Sequence, residues 1–482
     1  MKGVIMHSDR RDFLKLTGLA GLGFLGGRKG IAAEGENLAG AVRARNCGQS
    51  VCARVQRFNM SGYAADKIDP VRVGIIGLGQ RGPAHLKTLI RIEGVQIKAL
   101  CDLLPQKAEA AKKLLKGTDH RPELYTGDRE AWKKLCERDD IDLVVITTPW
   151  PMHAQMGIYA MNCGKHAASE VPAAGTIEEC WQIVETAERT RKHFMMMENY
   201  SFVYFPLLIL NMARKGFFGE VIHGDCAYNT SKMRNNFSKT MYWDMWWLKQ
   251  YAWRKGNIYP THGLGPICQV MDINRGDRLD YLVSVESADF MMNDRAKELA
   301  RDDEFYRPFV DKDYRGSMNV TTIRTKQGRT IMVQHDASSP SPHNMIHGVY
   351  GTKGAALYDP PPPRFAVGKH KWVSQEEYDK IKEKYTPNIT RKLGTLAKGG
   401  SHWGSDLLQD WRLIDCLRNG LPLEQDVYDA VSWSSIVPLS EWSVRNRSNS
   451  IDIPDFTAGS WKTNERNMDI NLERGGNTKV LG

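Results

Sequence analysis

Three glycines after a short apolar run have the spacing of a nucleotide-binding turn. The run Val71–Ile76 leads into Gly77, Gly79 and Gly82, and a helix is predicted over 85–92. In a strand–turn–helix unit, the first glycine permits the turn, the second lets backbone approach a pyrophosphate, and the third lets helix and strand pack together. The free N–H groups at the helix N-terminus then face the phosphates. The pattern predicts a dinucleotide site.

An acidic residue at the end of the next strand indicates which dinucleotide. The apolar stretch Val95–Leu100 is followed by Asp102, twenty residues beyond Gly82. A carboxylate there accepts hydrogen bonds from the ribose hydroxyls and repels a 2′-phosphate. We therefore predict that the cofactor is NAD rather than NADP.

Trp150 and His153 follow a third apolar strand, predicted over 141–146. Loops at the carboxyl ends of parallel strands are where ligands bind in such folds, so both side chains are predicted to contact cofactor or substrate. The alternative is a packing tryptophan next to a surface histidine.

The segment 241–253 is the most aromatic part of the chain and contains Trp247. Aromatic faces stack on the apolar faces of sugar rings, which favours a carbohydrate ligand. A core cluster or a subunit interface would have the same composition, so a homo-oligomer stays open.

Alternating strands and helices indicate an α/β fold. Strands are predicted near Tyr125, over 165–169 and over 194–197, and helices over 105–116 and 175–188. This order is typical of a Rossmann domain, which we place at residues 70–200, with a second α/β domain at 201–482. Within the second domain, Ser374 and Glu377 form a predicted capping box.

The N-terminal segment has the features of a targeting signal. Arg10 and Arg11 form a twin-arginine pattern, followed by a glycine-rich apolar stretch to Gly27 and a cleavage-like Ala32-Ala33. We predict a signal peptide at 1–33, a linker at 34–69, and export through the twin-arginine translocase to the periplasm or beyond. The apolar stretch is shorter than the roughly 20 residues of a membrane span, so no stable membrane anchor is predicted.

The charge distribution and the cysteine spacing give no indication of a nucleic-acid-binding protein or a metalloprotein. The formal net charge is +10, but residues 1–69 carry eleven Lys or Arg against six Asp or Glu. No basic block with interleaved aromatics predicts nucleic-acid binding. The nine cysteines form no C-x-x-C pair, although Cys47 and Cys52 could pair after export, and no spacing predicts a metal site.

Motifs of the first domain resemble the superfamily of glucose–fructose oxidoreductase and inositol dehydrogenase. They are the glycines 77–82, Thr148-Pro149 with His153, and Glu170-Val171-Pro172. The resemblance implies a Rossmann domain followed by an α/β domain with an open, mostly antiparallel sheet. Dehydrogenases of the superfamily usually have a lysine at the position of Val171 that assists proton transfer. Valine carries no proton, so a dehydrogenase mechanism needs another base.

The chain resembles glycoside hydrolase family 109 still more closely. The motifs are Tyr259-Pro260-Thr261-His262-Gly263, residues 271–276, and segments 436–441 and 453–456. The resemblance spans residues 71–461 and implies a retaining α-N-acetylgalactosaminidase type of enzyme with tightly bound NAD. The cofactor positions it implies are Gln80, Arg81, Asp102, Trp150 to His153, Glu170, Val171 and Asn199. The substrate positions it implies are Tyr228, Trp247, Tyr259, Pro260, Thr261, His262 and His343.

Two of these substrate positions depart from the family pattern. The family has an arginine twelve residues before the motif tyrosine, where this chain has Trp247, although Arg254 lies closer and could substitute. The family has Arg-Pro-Tyr-Asn where this chain reads Ser-Pro-His343-Asn344. The resemblance therefore leaves the sugar open.

Tyr259 and His262 are the candidate catalytic acid and base, because neutral histidine and polarised tyrosine exchange protons near neutral pH. The family mechanism implies oxidation at C3 of the sugar, elimination of the leaving group, addition of water and return of the hydride, without two flanking carboxylates. His262 could instead be a core residue at a helix N-terminus. His402 is a further candidate for the site.

Two alternative functions remain. One is an NAD-dependent sugar or inositol dehydrogenase in which Tyr259 or His262 replaces the missing lysine. The other is a non-catalytic sugar-binding protein that keeps NAD structurally.

Overall fold

The computed structural model describes residues 55–368 and 370–481. The predicted signal peptide, most of the predicted linker, and Cys47 and Cys52 lie outside these residues. In the part that is described, no helix is long and apolar enough to cross a membrane.

A six-stranded parallel sheet forms the first half of the protein, with strand order β3-β2-β1-β4-β5-β6. Its strands are β1 (Val71–Ile76), β2 (Val95–Asp102), β3 (Glu123–Thr126), β4 (Leu143–Ile146), β5 (His166–Ser169) and β6 (Phe194–Met196). Because β1 pairs with both β2 and β4, the strand order reverses there and opens a crevice at the carboxyl ends. The predicted Rossmann sheet is confirmed.

Five helices accompany this sheet. They are α1 (Arg81–Leu89), α2 (Pro105–Lys113), α3 (Ala131–Cys136), α4 (His153–Asn162) and α5 (Ile177–Thr190). The prediction that the first helix begins at His85 is wrong, because α1 begins at Arg81. Its first turn contains Gly82 and Pro83, which resemble a loop in the sequence, but proline is tolerated in the first turn of a helix.

The second half contains an eight-stranded mixed sheet with strand order β13-β12-β11-β7-β10-β9-β8-β14. Its strands are β7 (Val221–Asn229), β8 (Leu279–Glu286), β9 (Met318–Thr325), β10 (Thr330–Asp336), β11 (Gly348–Gly351), β12 (Gly354–Leu357), β13 (Arg364–Val367) and β14 (Ile451–Asp452). The pair β7–β10 is parallel, and the other strand pairs of this sheet are antiparallel. The predicted open, mostly antiparallel sheet is confirmed.

Ten further helices follow β6 in the described part of the chain. They are α6 (Tyr204–Arg214), α7 (Met233–Asn236), α8 (Trp246–Trp253), α9 (Thr261–Val270), α10 (Met292–Asp302), α11 (Gln375–Tyr385), α12 (Asn388–Ala397), α13 (Ser405–Asn419), α14 (Val427–Ser434) and α15 (Ile436–Arg445). The predicted capping box is present at α11, where the Ser374 hydroxyl accepts a hydrogen bond from the Glu377 N–H at 3.2 Å.

Helix α13 joins the two halves. Residues 405–417 of this helix are buried, and they pack on α1 and β1 of the first sheet. A backbone bridge between Ile92 and Val480 adds a second contact between distant segments. The first sheet is therefore covered partly by residues that follow the second one in the chain, and the crevice above β1 and β4 is closed by side chains from both halves.

Candidate active site

The glycine loop has the shape that a pyrophosphate requires. Gly77 has φ +90°, and a Cβ there would lie 2.7 Å from the Thr147 carbonyl. A Cβ at Gly82 would lie 2.1 Å from the Gly77 oxygen, whereas a Cβ at Gly79 would meet nothing within 4 Å. No side chain caps α1 at Gln80. The first and third glycines thus hold the loop together, and open space at Gly79 adjoins the N–H groups of the helix.

Asp102 lies beside this loop. Its Oδ2 accepts a hydrogen bond from the Leu78 N–H at 2.6 Å, and its Oδ1 accepts one from the Leu104 N–H at 2.8 Å. The carboxylate therefore fixes the loop and presents its remaining lone pairs at the end of β2, where the ribose of a dinucleotide binds in this fold. These residues fit the adenosine half of NAD.

His153 braces the loop after β4 from inside the protein. The ring is fully buried, with Nδ1 at 2.8 Å from the Pro172 oxygen and Nε2 at 2.8 Å from the Thr148 oxygen. Burial lowers the pKa of His153, although both carbonyls favour the charged form. The alternative of a surface histidine is wrong. His153 instead holds the loop of Trp150 against the buried segment that contains Val171.

Helix α9 delivers the candidate catalytic pair to the crevice. Pro260 is its N-cap, and Thr261 and His262 form its first turn. A Cβ at Gly263 would lie 2.7 Å from the Ala227 backbone, and a Cβ at Gly265 would lie 2.9 Å from the Glu198 side chain. The two glycines thus allow α9 to approach β7 on one side and the end of β6 on the other.

A buried carboxylate orients His262. The His262 Nδ1 lies 2.7 Å from the Glu198 Oε1, and Glu198 is fully buried. The Tyr200 N–H donates a hydrogen bond to the same Oε1 at 3.0 Å, which fixes the carboxylate. With Nδ1 donating to Glu198, the lone pair of the neutral imidazole lies on Nε2. His262 is buried in the first turn of α9, as the alternative of a core histidine has it, and its Nε2 remains available as a proton acceptor.

Tyr259 links the two halves of the crevice. Its ring stacks on Trp150 at 5.1 Å and contacts Tyr228 at 4.8 Å and His262 at 4.9 Å. Burial raises the pKa of the Tyr259 phenol well above its ordinary value. Tyr259 is therefore a neutral phenol in this state, which suits a proton donor better than a proton acceptor.

The aromatic segment divides between the site and the surface. Trp247 is buried and contacts Trp150 at 4.8 Å and Tyr259 at 5.4 Å, whereas Trp253 at the end of α8 is exposed. Arg254, which could have substituted for the family arginine, instead donates to Glu441 at 3.0 Å and to the Gly175 carbonyl at 2.9 Å. Trp247 therefore lies next to the candidate catalytic pair, and Arg254 does not take the place of the family arginine there.

The open rim of the site is formed by His343, His402 and Trp403. The His343 ring lies 6.0 Å from Tyr228 and 5.7 Å from the Trp403 ring. Loss of hydration and the nearby charges of His262, Lys232 and His402 lower the pKa of His343 to about 4. His402 and Trp403 both have positive φ angles, 48° and 56°. The structure thus places His402 at the rim, as the sequence suggested.

Arg81 and Glu170 belong to an ionic network beneath the crevice. Arg81 donates to Glu170 at 2.6 Å and, through both Nη atoms, to Asp406 of α13 at 2.8 and 3.0 Å. Asn199 donates to the same Asp406 at 2.7 Å. Despite burial, the charge of Arg81 holds the pKa of Glu170 well below its ordinary value. The pKa of Asp406 is also held well below its ordinary value despite burial, by hydrogen bonds from His402 and Arg81.

His85 completes this network. Its Nε2 lies 2.9 Å from Glu170 and its Nδ1 lies 2.9 Å from Asp410 of α13. Burial disfavours the imidazolium, but the two carboxylates outweigh it and raise the pKa of His85 to about 10. The positions that the family resemblance assigns to the cofactor are therefore held in place by carboxylates from α13.

Several buried polar atoms around the catalytic pair have no hydrogen-bond partner among the described residues. They are the Glu198 Oε2, the Asn199 Oδ1 and the Thr261 Oγ1. Buried polar groups are normally paired, so such a group of atoms is typical of a site that is completed by a ligand. In the same described part of the chain, no group of His, Cys, Asp and Glu side chains could hold a metal ion.

Sequence reasoning missed Glu198, Lys232 and Asp406. Glu198 lies two residues after the end of β6, so its place near the carboxyl end of a parallel strand was a usable signal. Nothing in the sequence indicates that Asp406 of α13 pairs with Arg81, since the two are separated by 325 positions.

Fold and site together define a protein with an NAD-binding Rossmann fold, a second mixed sheet and a candidate active site between these two halves. Residues 71–198 match the oxidoreductase family with an NAD-binding Rossmann fold, and residues 205–463 match the C-terminal domain of glycosyl hydrolase 109. The cofactor is NAD.

Relatives over nearly the whole chain identify the family. A glycosyl hydrolase family 109 protein of Shewanella pealeana is 43% identical over 95% of this chain and 98% of its own length. An alpha-N-acetylgalactosaminidase of Shewanella oneidensis is 41% identical with the same coverage. The chain belongs to glycosyl hydrolase family 109 and is a glycoside hydrolase. A levoglucosan dehydrogenase in complex with NADH shares the fold, with a TM-score of 0.61 and 18% identity over 80% of this chain and 99% of that chain.

Proposed function

We propose that this glycoside hydrolase cleaves its substrate by transient oxidation at C3 of the sugar, elimination and addition of water, with Tyr259 and His262 as acid and base. The observation that carries the proposal is the His262–Glu198 pair at 2.7 Å, next to a Tyr259 that stacks on Trp150 of the NAD-binding half. N-acetylgalactosamine is the first sugar to test, because the Shewanella oneidensis relative is named for it.

Each residue has a defined role in this scheme. When bound, NAD⁺ supplies a reversible hydride acceptor for C3. Oxidation of the C3 alcohol also releases its hydroxyl proton, which passes to solvent. The ketone at C3 acidifies the C2 proton, and His262 Nε2 accepts that proton while the Tyr259 phenol protonates the departing oxygen on C1. Addition of water to C1, with a proton of that water passing to Tyr259, and return of the proton to C2 reverse these transfers. The hydride and a proton from solvent then restore the C3 alcohol. Trp150, Trp247 and Tyr228 exclude water and stack against the sugar.

The chemistry is tested with nitrophenyl glycosides in D₂O. We expect release of sugar without accumulation of NADH, and deuterium at C2 of the product, because elimination removes that proton. Displacement at the anomeric carbon would leave C2 unlabelled, and the dehydrogenase alternative would accumulate NADH. Either result would contradict the proposal.

Substitution of the catalytic pair tests the assignment. Tyr259→Phe and His262→Ala should each lower kcat by about two to four orders of magnitude, the usual contribution of a positioned acid or base. NAD content should be unchanged, since the glycine loop and Asp102 lie on the other half of the molecule. Loss of NAD from either variant would indicate a role in cofactor binding instead.

We further propose that the enzyme is exported in folded form by the twin-arginine route. Arg10 and Arg11 precede a short apolar stretch, and a cofactor that returns to its starting state in each turnover suits a compartment without a nicotinamide supply. Replacement of both arginines by lysine should leave the precursor in the cytoplasm. Unchanged export of this variant, measured by fractionation, would disprove the route.

A further inference from the structure

Lys232 stands at the wall of the active site without a counter-charge. Its Nζ lies 5.9 Å from the centre of the Tyr228 ring and 5.8 Å from that of the Trp247 ring. Both rings contact Tyr259 directly. The ammonium is therefore next to two side chains that border the catalytic pair.

The position of Lys232 is fixed by the backbone. Its N–H donates to the Ala337 carbonyl at 2.8 Å, and its own carbonyl accepts from the Asn236 N–H at 2.8 Å at the start of α7. The side chain is half-buried, and burial lowers the pKa of its ammonium. No carboxylate of the described residues pairs with it.

The carboxylates of the candidate site are engaged elsewhere. Glu198 is bonded to His262, and Glu170 and Asp406 are bonded to Arg81. Lys239 shows the ordinary arrangement, because it lies 4.5 Å from the Phe305 ring and also pairs with Asp303. Lys232 has aromatic contacts like those of Lys239, but no carboxylate of the described residues pairs with it.

The partly desolvated Lys232 ammonium is stabilised by a ligand of opposite charge, because no carboxylate of the described residues offsets the hydration that it has lost. Aromatic faces offset part of that cost, but they provide no hydrogen-bond acceptor for the three N–H groups. The other ionisable groups that line the rim, His343 and His402, add no negative charge. The surroundings of Lys232 are thus suited to an anion on the substrate.

We propose that Lys232 binds an anionic group, a sulfate ester or a carboxylate, carried by the sugar that is cleaved. The inference rests on the proposed function, whose chemistry occupies C1, C2 and C3, so the anion is expected on C4 or C6. The substrate class is then an acidic or sulfated glycoside rather than a neutral one.

Binding tests this without turnover. Calorimetry on the NAD-loaded enzyme compares N-acetylgalactosamine, its 4-sulfate, its 6-sulfate and galacturonic acid, so that sulfate and carboxylate are distinguished. We expect at least one anionic sugar to bind about tenfold or more tightly than the neutral one, the usual effect of a hydrogen bond to a charged group. Lys232→Met should abolish that preference, and Lys232→Arg should restore most of it.

Lys239→Met is the matched control, because it removes a lysine over aromatic rings that already has a carboxylate partner. It should leave the preference intact. Equal binding of neutral and anionic sugars by the wild type, or a preference that survives in Lys232→Met, would overturn the proposal. Loss of NAD from Lys232→Met would also overturn it, by assigning the ammonium to the cofactor. Calorimetry measures binding and not hydrolysis. The binding comparison therefore still tests the role of Lys232 if the elimination mechanism proves wrong.

Discussion

At the scale of single residues, the site depends on how His262 is held. Glu198 accepts a hydrogen bond from Nδ1 and leaves Nε2 free, so the carboxylate both selects the tautomer and stabilises the imidazolium that forms when a proton is accepted. Glu198 acts on the reaction through His262, and its contribution is therefore one of positioning.

Glu198→Gln tests this role. An amide of nearly the same size can still accept the hydrogen bond but cannot stabilise the imidazolium, so kcat should fall by about tenfold to thousandfold. The acid limb of the pH profile of kcat should also move to lower pH. The control is Glu188→Gln, because Glu188 is also buried but accepts a hydrogen bond from the Tyr428 hydroxyl at 2.9 Å, away from the site. An unchanged pH profile for Glu198→Gln would rule out the orienting role.

At the scale of elements, two glycines in the strand–turn–helix unit of β1 and α1 have different roles. Gly82 is required by packing, since its hydrogen faces the Gly77 carbonyl, and Gly79 is required by nothing in the protein itself. Open space at one glycine and close contact at the next are what distinguishes a ligand position from a folding position.

Two alanine substitutions separate these roles. Gly82→Ala should destabilise the fold by about 1–3 kcal/mol, because the new methyl group collides with backbone that cannot move aside. Gly79→Ala should leave the melting temperature of the NAD-free protein unchanged but weaken NAD binding by about tenfold or more. Thermal unfolding and NAD titration of both variants provide the measurements. A Gly79→Ala protein that binds NAD normally would show that the pyrophosphate lies elsewhere.

At the scale of the whole molecule, the ionic network between α1 and α13 joins the two halves and depends on pH. The raised pKa of His85, from 6.5 to about 10, means that its contribution is complete below pH 6.5 and is lost as the pH rises through 10. The lowered pKa values of Glu170 and Asp406 act at the other limit, because their contribution is present above pH 4.5 and is lost as the pH falls. Asp410, whose pKa burial raises, offsets part of the acid limb.

The alkaline limb gives a measurable slope. Between pH 6.5 and 9.5 the free energy of unfolding should fall by up to about 1.4 kcal/mol per pH unit through His85 alone. His85→Gln lowers stability at every pH by leaving Asp410 unpaired, so the readout is the slope of the melting temperature against pH, which should flatten. His223→Gln is the control, since His223 pairs with Asp225 at 2.9 Å on a more exposed strand. Equal slopes for wild type and His85→Gln would exclude the network as the cause.

Local patterns in the sequence were sufficient for the Rossmann half. The glycine spacing, the apolar strands and the acidic end of β2 depend on neighbours within a few residues, so they predict the sheet and the NAD site directly. The start of α1 at Arg81 was not predicted from the sequence. Gly82 and Pro83 are typical of a loop, but both are also tolerated in the first turn of a helix. The Tyr259–His262 motif was recognised in the sequence by its resemblance to the family. Its spacing places both side chains at the start of one helix.

What the sequence determined by itself is the cofactor-binding half, the family and the candidate catalytic pair, because each is encoded in contiguous residues with fixed spacing. Only the tertiary structure decided that Glu198 orients His262, that Arg254 is committed to Glu441, and that Lys232 faces the site without a partner. It also decided that α13 closes the crevice with Asp406 and Asp410. These are contacts between segments that are tens to hundreds of residues apart, and their geometry is set by the packing of α9 and α13 against the two sheets rather than by any local pattern.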